Sequence, residues 1–123
     1  MRDLLLIEDD SDLRRVIREA VEIEGYQVTI ASDAEEALAL LAGNFAPVGI
    51  MCDITLPRMS GLDFLSQIRQ NPQWSSVAII AMSGTEKMKQ AALDAGADYF
   101  LVKPFSFHEL FDVLAHIKPS AET

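Results

Sequence analysis

The sequence predicts a doubly wound α/β domain, with five parallel strands in the order 2-1-3-4-5 and a helix after each strand. Three observations carry this. Short apolar runs alternate with helix-period stretches five times over, and strict alternation implies a parallel sheet covered by helices on both faces. The runs are nearly all apolar, as strands buried on both faces must be. One run, the second, alternates polar and apolar residues and so belongs at an edge.

Leu4-Leu5-Leu6-Ile7 is the first strand. Leu13, Val16, Ile17, Ala20 and Val21 follow at helical spacing, with Arg14, Arg15, Arg18, Glu19 and Glu22 on the other face. Asp10 or Ser11 caps this helix and Gly25 is its C′ residue. Gln27-Val28-Thr29-Ile30-Ala31 is the alternating edge strand. Ser32-Asp33-Ala34-Glu35 reads as a capping box, opening a helix through Leu38, Leu41 and Ala42 to Gly43.

Pro47 to Cys52 forms the third strand, with proline at its start where a missing N–H is tolerated. After a loop from Asp53 to Ser60, Leu62, Leu65 and Ile68 mark one face of a third helix, ended by Pro72. Val77 to Met82 is the fourth strand. The helix after it, about 86–95, has an alanine face (Ala91, Ala92, Ala95) and stops at Gly96. Tyr99-Phe100-Leu101-Val102 is the fifth strand, and Leu110, Phe111, Leu114 and Ile117 define the last helix. A Rossmann arrangement needs six strands; five, with an amphipathic second strand, select the flavodoxin-like order.

The 123 residues form one domain, 1–118, with 119–123 as a tail or the start of a linker. No apolar run approaches the ~20 residues that span a bilayer, and the N-terminus lacks a signal-peptide pattern. A net charge of −9 repels a phosphate backbone, which argues against direct nucleic-acid binding. Cys52 is the only cysteine, so no internal disulfide forms, and a cytoplasmic setting is expected. Cys52 itself reads as a small buried apolar residue.

Four islands carry the chemistry: Glu8-Asp9-Asp10, Asp53, Ser83-Gly84 and Lys103-Pro104. Each ends a strand, and in an open parallel sheet all those ends lie on one edge, where ligands bind. A nucleotide or flavin site needs a glycine- or hydroxyl-rich loop after the first strand. Acids stand there instead. Two carboxylates ~4 Å apart repel by ~4 kcal/mol at an effective dielectric of ~20, and they repel bare phosphate too. A hard divalent cation between acids and phosphoryl group resolves this, so Mg²⁺ or Mn²⁺ is expected.

Asp53 lies between Cys52 and Ile54, where an unpaired carboxylate is unfavourable, and the cation and Lys103 supply its partners. A carboxylate can attack phosphorus to give an acyl phosphate, so Asp53 is the phosphoacceptor. Ser83 can donate its hydroxyl to a phosphoryl oxygen, and Gly84 lets its backbone N–H approach. Thr85 suits the N-cap of the next helix. Lys103 offers a compact positive charge, and its bond to Pro104 can be cis.

These residues together resemble the receiver domain of bacterial two-component response regulators, from Asp3 to about Ile117. Asp9 to Asp53 is 44 residues, Asp53 to Ser83 is 30 and Ser83 to Lys103 is 20. The run from Asp53 to Gly61, with Pro57 four positions on and Gly61 eight, looks like the family's phosphoacceptor loop. Leu101-Val102-Lys103-Pro104-Phe105 looks like its fifth-strand signature.

The resemblance implies that Asp53 takes a phosphoryl group from a sensor histidine kinase or a histidine phosphotransfer protein. It implies that Asp9, Asp53 and the backbone carbonyl of Thr55 bind Mg²⁺ directly, and Glu8 through water. Ser83 and Lys103 would hold phosphoryl oxygens, together with the backbone of Thr55 and Gly84. Ser83 and Phe100 would form the switch pair, acting on an output surface of the fourth helix, fifth strand and fifth helix. The output partner is unknown. Such a domain is not an enzyme in the usual sense, although it promotes its own aspartyl phosphorylation and dephosphorylation.

The chain departs from the family pattern at Ser60, where aspartate is usual, at Thr55, and at Phe100, which lacks the frequent tyrosine hydroxyl. His108 and His116 read as solvent-facing residues of the last helix. The chain is a stand-alone receiver or one segment of a larger regulator or hybrid kinase. A Mg²⁺-dependent phosphatase with an aspartyl nucleophile is the rival reading, but that family usually carries a second aspartate where this chain has Thr55. A flavin-binding flavodoxin is disfavoured by the acids at 8–10.

Overall fold

The computed structural model describes residues 2–117, so the predicted boundary at 118 and the tail 119–123 lie outside the described residues. Strands β1 (Arg2–Ile7), β2 (Tyr26–Ala31), β3 (Gly49–Asp53), β4 (Ala78–Ser83) and β5 (Tyr99–Val102) form one parallel sheet. Their order is β2-β1-β3-β4-β5, with the amphipathic second strand at an edge as its pattern requires. The connections carry α1 (Ser11–Ile23), α2 (Ala34–Ala42), α3 (Gly61–Gln70), α4 (Lys89–Ala95) and α5 (Phe107–Leu114). Among the described residues no helix is long and apolar enough to cross a membrane.

The period of two along a strand divides each central strand between two cores. Leu5, Ile7, Ile50 and Cys52 pack with Phe64 and Leu65 under α2, α3 and α4. Leu4, Leu6 and Met51 pack with Ile17, Val21 and Leu110 under α1 and α5. Because both faces are covered, Leu4 to Ile7 and Ile50 to Cys52 have no solvent exposure at all. Each such Leu or Ile stabilises the fold by about 1.5–3 kcal/mol.

Short polar side chains start the helices. Asp10, one of the two residues expected to cap α1, accepts the N–H groups of Asp12 and Leu13. Ser60 caps α3, and Ser106 with Glu109 forms a capping box on α5. Gly25 (φ 93°) and Gly96 (φ 119°) end α1 and α4 in the left-handed region.

Several sequence expectations need correction. The cap of α2 is Asp33, not Ser32, and Glu36 rather than Glu35 reaches back, to the Ser32 N–H at 2.7 Å. Aspartate is at least as good a cap as serine, and starting at Ala34 buries Ala34, Ala37 and Leu41 on one face. Ala42 falls on the exposed side. Val16 was expected in the core but is 42% exposed, because it lies at the margin of the stripe that Leu13, Ile17, Ala20 and Val21 turn toward the sheet. The third helix also buries Phe64 completely, which the Leu62-Leu65-Ile68 stripe omits.

β3 begins at Gly49 rather than Pro47, and β4 at Ala78 rather than Val77. The weak fourth helix starts as a 3₁₀ turn at Glu86–Met88 capped by Thr85, and of its alanines only Ala92 is fully buried. α5 ends at Leu114, so Ile117 and His116 lie beyond it; Ile117 is nonetheless buried, and His108 and His116 are exposed. At the N-terminal edge of the sheet, Trp74 and Phe45 line a cavity of about 580 Å³ with Leu41 and Val77.

Candidate functional site

Register brings the islands together. Ile7 pairs with Cys52, so the next residues, Glu8 and Asp53, emerge side by side from adjacent strands. Asp53 pairs with Met82 and Ser83 with Val102, so Ser83 and Lys103 emerge one step further along β4 and β5. Adjacent strands lie about 4.8 Å apart, which sets the scale of the site. Carboxylate oxygens of Glu8, Asp9 and Asp53 all lie within 4.8 Å of one another. Glu8 and Asp53 are buried, and Asp9 is exposed.

Lys103 reaches into this cluster. Its Nζ donates to Asp53 Oδ2 at 2.8 Å and to Glu8 Oε1 at 3.1 Å. Burial, then the neighbouring Asp53 charge, push the Glu8 carboxyl above the usual carboxylate range, and the Asp10 N–H and Lys103 only partly offset them. Burial pulls the Lys103 ammonium down. The hydrogen bond and charge of Asp53, with those of Glu8, outweigh it and hold the ammonium above its ordinary value. Burial pushes the Cys52 thiol up, with the charges of Asp53 and Glu8 adding to it, so Cys52 is the inert core residue its sequence suggests.

The other oxygen of Asp53 is fixed by the chain itself. Oδ1 accepts the Thr55 backbone N–H at 2.9 Å. The loop then folds back so that Gly61 donates its N–H to Ile54 O at 2.8 Å. A Cβ at Gly61 would overlap Asp53 O and stand 2.6 Å from Ile54 Cα, so only glycine lets the start of α3 lie against the end of β3. Ser83 is buried; its Oγ accepts the Thr85 N–H at 3.2 Å and its carbonyl accepts the Lys103 N–H at 2.7 Å. The Lys103–Pro104 bond is cis.

Gly84 is exposed, and a Cβ there would meet no protein atom within 4 Å, so packing does not require glycine at that position. Phe100 is half-buried against the core under α3 and α4. The structure therefore gathers Glu8, Asp9, Asp53, Ser83 and Lys103 at one edge, with Thr55 and Gly84 on the flanking loops.

Two arginines that the sequence reading does not assign to the site, Arg14 of the polar face of α1 and Arg58, brace the same edge. Arg14 donates to Glu8 O at 3.1 Å and to Ser32 Oγ at 3.3 Å. Arg58 pairs with Asp33 and lies 3.6 Å from Glu35. No local pattern marks them, because each contact joins separate loops through a long side chain.

Fold and site define a doubly wound domain with an acidic, lysine-bearing cluster at the C-terminal edge of its sheet. The model of the response regulator receiver domain matches residues 4–115, and the chain belongs to that family, the receiver domain of two-component response regulators. Among curated proteins it is 36% identical over 110 residues to the transcriptional regulatory protein CpxR of Klebsiella pneumoniae. That match covers 89% of this chain and 46% of the relative, so the chain spans about half the length of the curated relatives it matches.

Among solved structures it resembles the chemotaxis response regulator CheY4 of Vibrio cholerae at a TM-score of 0.87 and 28% identity, over 96% of this chain and 99% of that one. It also resembles the receiver domain of the sensor histidine kinase PA1611 of Pseudomonas aeruginosa, solved with a magnesium ion coordinated in the active-site cleft. There the TM-score is 0.84 and the identity 29%, over 94% and 96% of the two chains.

Proposed function

We propose that Asp53 accepts a phosphoryl group from the phosphohistidine of a sensor histidine kinase or a histidine phosphotransfer protein. The observation that carries this is the pairing of the buried Asp53 carboxylate with Lys103 at 2.8 Å inside a cluster of three acids. Three carboxylates against one ammonium leave two negative charges, which a divalent cation balances. The donor set is all hard oxygen, which suits Mg²⁺ or Mn²⁺. Asp9, Asp53 and the Thr55 carbonyl would hold the cation, with Glu8 acting through water.

When bound, the cation neutralises charge that builds on the transferring group. The chain's own residues do the rest. One Asp53 oxygen attacks phosphorus while the bond from phosphorus to the histidine nitrogen breaks, leaving an aspartyl phosphate and a free imidazole. The Thr55 N–H orients the carboxylate, since it already holds Oδ1. Lys103 moves from carboxylate to phosphoryl oxygen, and Ser83 turns its hydroxyl toward the same group. Phe100 follows Ser83, altering the surface of α4, β5 and α5 that an output partner would read. Later attack by water returns the free carboxylate.

Incubation with Mg²⁺ and acetyl phosphate, followed by intact mass measurement, tests the reading. One added phosphoryl group is expected, absent without Mg²⁺ and absent in Asp53→Ala. Phosphorylation that persists in Asp53→Ala would falsify the assignment.

A further inference from the structure

The acidic site is braced from two sides, and only one of them involves Lys103. On the other side runs an unbroken polar path. Arg14 on α1 holds Glu8 O and Ser32 Oγ. The Ser32 N–H donates to Glu36 Oε1 at 2.7 Å, and the Glu36 N–H donates to Asp33 Oδ1 at 2.8 Å. Asp33 Oδ2 then accepts Arg58, three residues after Thr55. The path thus links the loop bearing Glu8 and Asp9 to the loop bearing Asp53 and Thr55, by way of the N-terminus of α2.

Arg58 itself argues that this link matters. Its backbone is left-handed, at φ 65°, a conformation unfavourable for any residue with a Cβ and better suited to glycine or asparagine. What arginine adds there is its side chain, which reaches both Asp33 and Glu35.

We propose that Arg14 and Arg58 are positioning residues for the cation: through Ser32, Asp33 and Glu36 they set the separation of the two acidic loops. The inference rests on the phosphoacceptor reading above. Mg²⁺ and Mn²⁺ need ligands placed in near-octahedral geometry, whereas Glu8, Asp9 and Asp53 repel one another and would spread if their loops were free. Neither arginine would be a ligand, since their contacts are to a backbone carbonyl, Ser32, Asp33 and Glu35.

Positioning and simple charge predict opposite signs. A guanidinium near the site repels a cation, so its removal should tighten binding if charge alone acted. Loss of positioning weakens binding instead, and partners behind the ligands are typically worth about tenfold or more in metal affinity. Arg58 engages Asp33 through Nη2 and Glu35 through Nε, so a lysine there keeps the charge but loses the planar fork, whereas Arg14 makes both of its contacts through Nη1 alone.

Mn²⁺ titrated into the full chain, with the free ion followed by electron paramagnetic resonance, separates these. Arg14→Ala, Arg58→Ala and Arg58→Lys are compared with the parent chain, with thermal melts confirming that each is folded. Dissociation constants raised about tenfold in all three are the expected result. Unchanged or tighter binding in the folded variants, even with lowered melting temperatures, overturns the proposal. A parent chain that binds no Mn²⁺ at millimolar concentration instead overturns the phosphoacceptor reading, and this inference with it.

Discussion

Lys103 Nζ sits between two buried carboxylates, 2.8 Å from Asp53 Oδ2 and 3.1 Å from Glu8 Oε1, so one ammonium is shared between them and partly balances their charge. Without a cation this balance is a condition of stability. Lys103→Met strands two like charges, and breaking a buried pair typically costs about 3–5 kcal/mol. The Lys103 side chain is 20% exposed, so solvent reduces the loss to roughly 1–3 kcal/mol. Urea denaturation without divalent ions should show this loss, and added Mg²⁺ should restore more stability to the variant than to the parent. Asp53→Asn should move the midpoint the other way by relieving repulsion. A Lys103→Met variant as stable as the parent would remove the ammonium from this role.

Gly61→Ala sets helix propensity against sterics. Alanine gains about 1 kcal/mol over glycine in a helix interior, and less at the first position of α3, which Gly61 occupies. The added Cβ, however, meets the backbone of Asp53 and Ile54, which cannot rotate away as a side chain can. Overpacking of this kind costs about 1–3 kcal/mol and displaces the loop that orients Asp53. The variant should therefore melt earlier, and acetyl phosphate should label it at least roughly tenfold more slowly. Parent-like labelling would mean that the loop adapts without moving Asp53.

The buried Tyr26 hydroxyl donates to the carbonyls of Leu114 (3.0 Å) and Ile117 (3.2 Å), tying β2 to the end of α5. Burial raises its pKa above the ordinary tyrosine value, against the lowering charge of Arg2. Because the folded value lies above the unfolded one, the neutral phenol's contribution is complete below about pH 10 and is lost as pH rises through the folded value. Tyr26→Phe should be less stable at neutral pH, by about 0.5–1.5 kcal/mol for the hydrogen bonding lost, since the Leu114 carbonyl keeps the Ile117 N–H, and that deficit should shrink at high pH. Alkaline ultraviolet titration of the two proteins checks the delayed ionisation.

A phosphoryl mimic such as beryllofluoride, added with Mg²⁺, should alter amide exchange from Ser83 through Phe107. α4 offers little resistance to such a change, since Ala92 is its one fully buried residue. Unchanged protection across that segment would separate phosphoacceptance from switching and return Phe100 to a packing role.

The strands were legible because burial on both faces leaves no choice of residue: Leu4 to Ile7 and Ile79 to Met82 are apolar throughout. Sheet order was legible from the half-exposed second strand, and the acidic site from strand ends that the topology aligns. Helix faces were less legible. Val16 fits the helical period as well as Ile17 does, but period alone does not say where the margin of the buried stripe falls. The cap of α2 was misplaced by one residue because Ser32-x-x-Glu35 and Asp33-x-x-Glu36 are both good caps, and burial of Ala34 decides between them. The bracing roles of Arg14 and Arg58 were not legible: Arg14 fits the polar face of α1 without further cause, and their partners lie up to 25 residues away and depend on loop conformation.

Trp74 is the chain's only tryptophan, and it lies in the loop before β4, at the edge of the sheet opposite Asp53. Its fluorescence therefore reports the integrity of the whole fold while staying blind to events at the acidic edge. Emission that follows denaturation yet ignores Mg²⁺ is the behaviour this placement dictates. A tryptophan introduced near Thr55 would supply the missing optical channel, and the two signals together would distinguish a variant that cannot fold from one that folds but cannot bind.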